Sequence, residues 1–401
     1  MSRRPLPSLA ADSLPITILI TALVAVGTLS TSIYVPSMPT LVGDFATTPD
    51  NVKLTLTVFL VGFAAGQLVY GPLSDRFGRR SVLIGGLLVY SFGNLACIAA
   101  TGIETMIAGR FLQAFGACAG TVLGRAVVRD VHGREGTARV LAWVAAATAV
   151  SPALGPTLGG HVHVWFGWRA NFVLLASLGL LLLAAVWLFL RETNPEPDPD
   201  ATDWLQLLRR FGILLGDRNF LGWLLSGSLV FAGLHVYIVV APFLFIDRLQ
   251  FDPAEFGVLT IFTTSCYLLG TVVTGRLVQR LGLRTMLLLG CTASLLGGGL
   301  MLGFALVMLS APSVLGPMML FSFGMGLTLP TALAGGLLPF PHMAGTASAL
   351  IGFSQQAAAA VATLVATQLP HHSAVSMGSL VATLALGALL ARLCLISGSE
   401  G

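Results

Sequence analysis

Twelve long apolar runs repeat along the chain, and that repetition constrains its fold more than any other feature. They cover about residues 14–36, 53–73, 82–101, 103–127, 138–162, 171–190, 219–243, 255–275, 285–309, 313–337, 344–369 and 375–396. Crossing a bilayer takes about 20 predominantly apolar residues per helix, and each run is long enough. Composition points the same way: 9% of residues are charged and 55% are hydrophobic, whereas an ordinary soluble domain is about 25% charged. So few charges cannot cover a water-facing surface, and a disordered chain would be far more polar. The expected fold is an all-α membrane protein of 12 transmembrane helices.

Twelve spans put both termini on one side, and the basic residues choose which. With the N-terminus inside, the inner segments hold Arg3, Arg4, Arg76, Arg79, Arg80, Arg129, Arg134, Arg139, Arg191, Arg209, Arg210, Arg218, Arg276, Arg280, Arg284 and Arg392. The outer segments hold Lys53, Arg169 and Arg248. Both ends are therefore expected in the cytoplasm. Arg3 and Arg4 precede an apolar run as in a signal peptide, but that run is long and many follow, so it reads as an uncleaved first span. Cys97, Cys118, Cys266, Cys291 and Cys394 fall in apolar stretches without metal-site spacing, and their odd number argues against a disulfide framework. They read as packing residues, and no metal is expected.

The chain also divides in two. Residues 191–218 open with a Pro/Asp/Glu stretch and continue into an amphipathic segment, Trp204 to Leu215, suited to the membrane surface. The expected organisation is a six-helix half over 1–190, this linker over 191–218, and a second six-helix half over 219–401. Gly71-Pro-Leu-Ser-Asp-Arg-Phe-Gly-Arg-Arg80 follows span two, and Gly275-Arg-Leu-Val-Gln-Arg-Leu-Gly-Leu-Arg284 follows span eight. They share G-x-L-x-x-R-x-G-x-R in register, 204 residues apart. Repeated halves around a midplane site are a common plan of secondary transporters.

These residues resemble the major facilitator superfamily (MFS), and within it the drug/proton antiporters of the bicyclomycin- and chloramphenicol-resistance (Bcr/CflA) type. The resemblance rests on residues 71–80, on Gly109-Arg-Phe-Leu-Gln-Ala-Phe-Gly-Ala117 in span four, and on Ala153-Leu-Gly-Pro-Thr-Leu-Gly-Gly160 in span five. Val128-Arg-Asp130, Gly167-Trp-Arg169 with Phe172, and Phe340-Pro-His-Met-Ala-Gly-Thr-Ala-Ser348 look like the narrower subfamily. It implies a pseudo-symmetric two-half MFS fold, no enzymatic activity, and multidrug efflux across a bacterial inner membrane, driven by the proton gradient without a cofactor. It also implies a conformational latch of Gly71, Asp75, Arg76, Gly78, Arg79 and Arg80, with Asp75 docking near the start of span eleven, around His342 to Gly345. A carboxylate at a helix N-terminus is favourable by up to about 1 kcal/mol, a suitable strength for a latch that must release. Gly155, Pro156, Gly159 and Gly160 form an exporter motif, a smooth helix face that allows close approach, with a bend at the proline.

Arg110 lies about 10 Å into span four, deep enough to cost about 2.5–3.5 kcal/mol and to read as functional. The subfamily's usual acid near the end of span one, two residues before Tyr-x-Pro, is replaced here by Ser32, ahead of Tyr34. No carboxylate lies in the interior of any expected span. His235 in span seven, at the repeat position next to Ser32, is the internal candidate for proton coupling, with a transition expected near pH 6–7. Gln113 joins this group, and Gln67, Tyr70, Asn94, Tyr237, Tyr267, Gln355 and Gln356 are candidates to face a central path. Phe63, Phe231, Phe262 and Phe353 are candidate aromatic surface. Without the acid, the outer half of the path is expected to be positive at Arg110 and to favour neutral or anionic cargo.

The expected partners are the lipid bilayer, a small-molecule substrate and protons, with no nucleic acid, and the protein is expected as a monomer. Export of one host metabolite on the same scaffold remains the alternative. A membrane enzyme or receptor lacks support, since the chain has no HExxH, G-x-S-x-G or Walker A pattern.

Overall fold

The structure, a computed structural model, describes residues 14–131, 134–194, 198–199, 201–369 and 373–396. Arg3 and Arg4 lie outside the described residues, as do the side chains of Arg134 and Arg139. Span one is Leu14–Ser32, prolonged by a 3-10 turn, Val35–Ser37, and a short helix, Met38–Asp44. Spans two to six are Pro49–Phe77, Arg79–Ile98, Ile103–Val131, Arg134–Phe166 and Arg169–Phe189. A linker helix, Trp204–Gly216, leads to span seven, Arg218–Pro242. The continuous helix Pro253–Val307 is broken at Gly282, giving span eight (253–281) and span nine (283–307). Spans ten to twelve are Ala311–Leu337, Ala344–Thr367 and Ala374–Leu395. Among the described residues there are no strands.

Local chemistry starts these helices. Thr48 caps span two ahead of Pro49, Asp217 accepts from the Phe220 amide at span seven, and Asp252 and Glu255 form a capping box at span eight. Asp203 caps the linker helix; the Gln206 and Leu205 amides hold its carboxylate below the usual range. The two repeated loops turn identically: Gly78 has φ +88° and Gly282 has φ +76°. Only glycine adopts this conformation freely, so the 204-residue echo marks two equivalent breaks between consecutive spans.

Among the described residues, ten helices are long and apolar enough to cross a membrane. Dividing Pro253–Val307 at Gly282 makes eleven, and span five is the twelfth. Their outward faces carry Phe92, Leu181 and Leu296, each more than half exposed. Water would not tolerate such a girdle, and lipid does. Spans one to six pack on one another, as do seven to twelve, and the halves meet chiefly where span two lies on span eleven and span five on span eight. The linker helix seats Leu214 against Phe220 and Ile351 and leaves Leu205, Leu208 and Ile213 exposed.

Lys53 differs from its expected place in an outer loop. Helix starts four residues earlier, at Pro49, so Lys53 lies inside span two, 1% exposed, ion-paired to Asp50 at 3.6 Å and over the Phe243 ring at 5.5 Å.

Candidate transport pathway

Arg110 is wholly buried inside the first half. Its guanidinium stands 4.1 Å from the Tyr34 ring centroid and 4.3 Å from that of Phe59, with Phe172 at 6.0 Å. It donates to the Ser30 carbonyl at 3.0 Å and to the Gln113 side-chain oxygen. Gln113 donates on to Asn94 at 2.7 Å, Asn94 to the Tyr90 carbonyl, and the Tyr90 hydroxyl meets Ser30 Oγ at 2.9 Å. The charge is thus held without a carboxylate, by two aromatic faces, each worth up to about 2 kcal/mol when desolvated, and by two acceptors. Spans one to four are tied together through it, with Phe172 from span six nearby.

This corrects the expected placement of several residues. Arg110, Gln113, Asn94 and Tyr34 form a buried knot rather than an exposed cavity wall, with Arg110 Nε and Nη2 left without hydrogen-bond partners. Ser32 lies apart from it, bonded to the Thr28 carbonyl and packed against Gly155. Tyr70 is buried against Phe115 of span four.

The span-five motif builds the contact between halves at the end of the bundle opposite residues 71–80. Gly155 and Gly159 lie against Ser32 and Ile33 of the first half, while Gly160 lies against the backbone of Pro253 and Ala254 in the second. Gly257 returns the fit, against the backbone of Pro156 and Thr157. Thr157 Oγ1 donates to the Gly257 carbonyl at 3.0 Å, and Thr57 of span two bonds Thr363 of span eleven at 2.9 Å. Residues bearing a Cβ at these glycines would hold the helices apart. This end is sealed.

The other end is arranged differently. Asp75 was expected to dock on the start of span eleven; instead its carboxylate pairs with Arg79, which also reaches Asp130 at 3.0 Å. The Asp75 side chain is 47% exposed. Among the described residues no hydrogen bond or ion pair joins 71–80 to span eleven, and Gly345 has nothing within 4 Å of a Cβ position. The linker takes up the loop. Glu192 accepts from the Arg79 and Arg80 amides at the start of span three, Arg76 donates to Thr202, Arg80 to the Trp187 carbonyl, and Asn194 to the Asp75 carbonyl. The loop is thus satisfied by the first half and the linker rather than by span eleven.

In the second half, His235 is 5% exposed and its ring lies tilted against that of Phe231, centroids 4.3 Å apart. Its Nδ1 lies 3.0 Å from the Phe231 carbonyl; a carbonyl only accepts, so Nδ1 carries a proton. Tyr237 is buried with an unpartnered hydroxyl, as is the Gln356 side-chain oxygen. Gln67 crosses to Gly352 of span eleven, Gln355 lies near Gly227, and Tyr267 is partly buried.

A family model described as Major Facilitator Superfamily matches residues 20–363. The chain belongs to the major facilitator superfamily. A chloramphenicol resistance protein of Pseudomonas aeruginosa is 32% identical, covering 93% of this chain and 89% of its own. A bicyclomycin resistance protein homolog of Haemophilus influenzae is 27% identical, covering 88% and 84%. Among solved structures, a D-xylose-proton symporter matches with a TM-score of 0.78 at 17% identity, covering 96% of this chain and 98% of that one. At that identity the likeness speaks for the fold.

In this MFS protein, reasoning from sequence missed four residues that hold the pathway. Phe59 resembles every other membrane phenylalanine, and nothing near it signals an arginine. Asp130 was read as part of a subfamily motif but not as the second acid on Arg79. Glu192 follows span six with no pattern around it. Lys53 was detectable, since Thr48-Pro49 announces a helix start before it.

Proposed function

We propose that this protein exports small amphiphilic compounds, antibiotics among them, in exchange for protons, by alternating access between the two six-helix halves. The observation that carries the reading is the seam of Gly160, Gly257 and Thr157. It closes one end of the path through backbone contacts and the one Thr157–Gly257 hydrogen bond, so spans five and eight can part there at the cost of that bond. The names of the resistance proteins similar to it support drugs as cargo. The arginine-rich end, with both termini, faces the cytoplasm of a bacterial cell. A monomer suffices, because both halves lie on one chain.

Proton exchange runs through His235, with no cofactor. The histidine's neighbour is Phe231, and among the described residues no carboxylate pairs with it, which favours neutral or anionic cargo. The test is a susceptibility panel in a pump-deleted host, run with profiling of exported metabolites. Raised resistance to chloramphenicol-like compounds supports the reading. Export of a single endogenous metabolite with unchanged resistance would replace it with a dedicated carrier.

A further inference from the structure

Span four carries a second arginine, Arg125, that the knot around Arg110 does not use. It lies six residues before the end of the helix at Val131, about 9 Å along the axis. Arg129 follows one turn later on the same face. Both side chains are exposed, and among the described residues neither has an ion pair or a side-chain hydrogen bond. The acids nearby are committed: Asp75 and Asp130 both pair with Arg79. Like charges four residues apart on a helix repel. The chain therefore bears an uncompensated cost here.

Helical phase fixes where Arg125 points. One turn before it, Thr121 donates to the Val24 carbonyl of span one. Two turns before it, Cys118 packs on Gly66 of span two. Arg125 leaves the helix between the faces that spans one and two cover. Span two lies on the second half, and span one packs on span five, which does too. The notch between one and two thus opens toward the space between the halves. Arg125 is thus exposed on a face of span four that spans one and two flank.

We propose that Arg125, with Arg129 one turn closer to the mouth, forms an anion-binding site that draws carboxylate- or phosphate-bearing cargo from the cytoplasmic side. This rests on the exporter reading and names the group that would select its cargo. A guanidinium takes a carboxylate in two parallel hydrogen bonds, supplying the counter-charge that the protein withholds. Arg129 offers a first contact at the mouth, and Arg125 a second about 6 Å deeper. A lipid phosphate headgroup has the same chemistry, and the test must separate the two sources.

The probe is 1-pyrenebutyrate, compared with its neutral primary amide, binding to the full-length protein in nanodiscs of phosphatidylcholine. The carboxylate is expected to bind at least tenfold tighter than the amide. Arg125→Gln should erase that preference while leaving amide affinity unchanged, and Arg125→Lys should retain part of it. Unchanged amide affinity also shows that the variant is folded. Equal affinities for the two probes in the unmodified protein, or a preference that survives Arg125→Gln, would overturn the proposal. Nanodiscs with phosphatidylglycerol distinguish the source: an undiminished preference supports a cargo site, whereas its loss assigns the pair to lipid and overturns it. Proteoliposome flux of the amide separates this from the exporter reading. Amide export with no carboxylate preference sinks the anion site alone, and no flux of either probe sinks the exporter.

Discussion

Replacing Gly160 with alanine should hold open the end of the pathway that the structure shows sealed. A Cβ there would stand 2.9 Å from the Ala254 Cα and from the Pro253 carbonyl carbon, where ordinary contact begins at 3.4 Å. Both neighbours are backbone, so no rotamer change relieves the overlap, and the seam must part by about 0.5 Å or more. Overpacking of this kind costs about 1–3 kcal/mol. The cost falls only on the conformation with spans five and eight pressed together, so the equilibrium between the two ends should shift by about 5- to 150-fold. Spin labels at Phe166→Cys and Arg248→Cys, both exposed at that end, in a background without the native cysteines, would report it by pulsed electron resonance. Gly160→Ala should populate a longer distance and slow export. Gly303→Ala, where a Cβ meets nothing within 4 Å, should change neither. An unchanged distance distribution with normal export in Gly160→Ala would refute the reasoning.

Three further outcomes are expected. Asp75→Asn removes one of the two acids on Arg79 and should lower transport strongly at near-normal expression; unchanged flux in vesicles would show that the pair is incidental. His235→Gln should abolish uphill export and keep downhill exchange, measured in proteoliposomes with and without an imposed pH gradient; continued accumulation would place the coupling group elsewhere. Asp203 has a depressed folded-state pKa, so the stability it gives the linker helix is present above the ordinary carboxylate value and is lost as pH falls through the folded value. The protection factors of the Leu205 to Leu208 amides, corrected for the intrinsic pH dependence of exchange, should therefore fall on acidification to that point, and Asp203→Asn should blunt the fall.

Much of this architecture was legible because lipid enforces it: apolar runs of span length, and glycines where the backbone turns with positive φ at Gly78 and Gly282. The span-five glycines were legible as a smooth face, but not as a seam, because their partners Pro253 and Gly257 lie about 100 residues away. Arg110 was readable as a costly buried charge. Its cage was not, since Phe59 looks like a lipid-facing residue until the helices are packed, and Phe172 was read as part of a motif with no link to Arg110. The partner of Asp75 was misread for a different reason. Its docking on span eleven was what the family resemblance implied, whereas in this structure Arg79, four residues on, takes the carboxylate. Arg125 escaped notice because a lone arginine near the end of a span looks like one more basic residue at the cytoplasmic border.

The central claim is that this chain moves a small amphiphile against its gradient at the expense of the proton gradient. Purified protein reconstituted into liposomes, loaded with labelled chloramphenicol outside and given an acid interior, tests it most directly. Accumulation inside that collapses when a protonophore dissipates the gradient is the result expected. Uptake no greater than in protein-free liposomes, with the gradient verified by a pH-sensitive dye, would contradict the account.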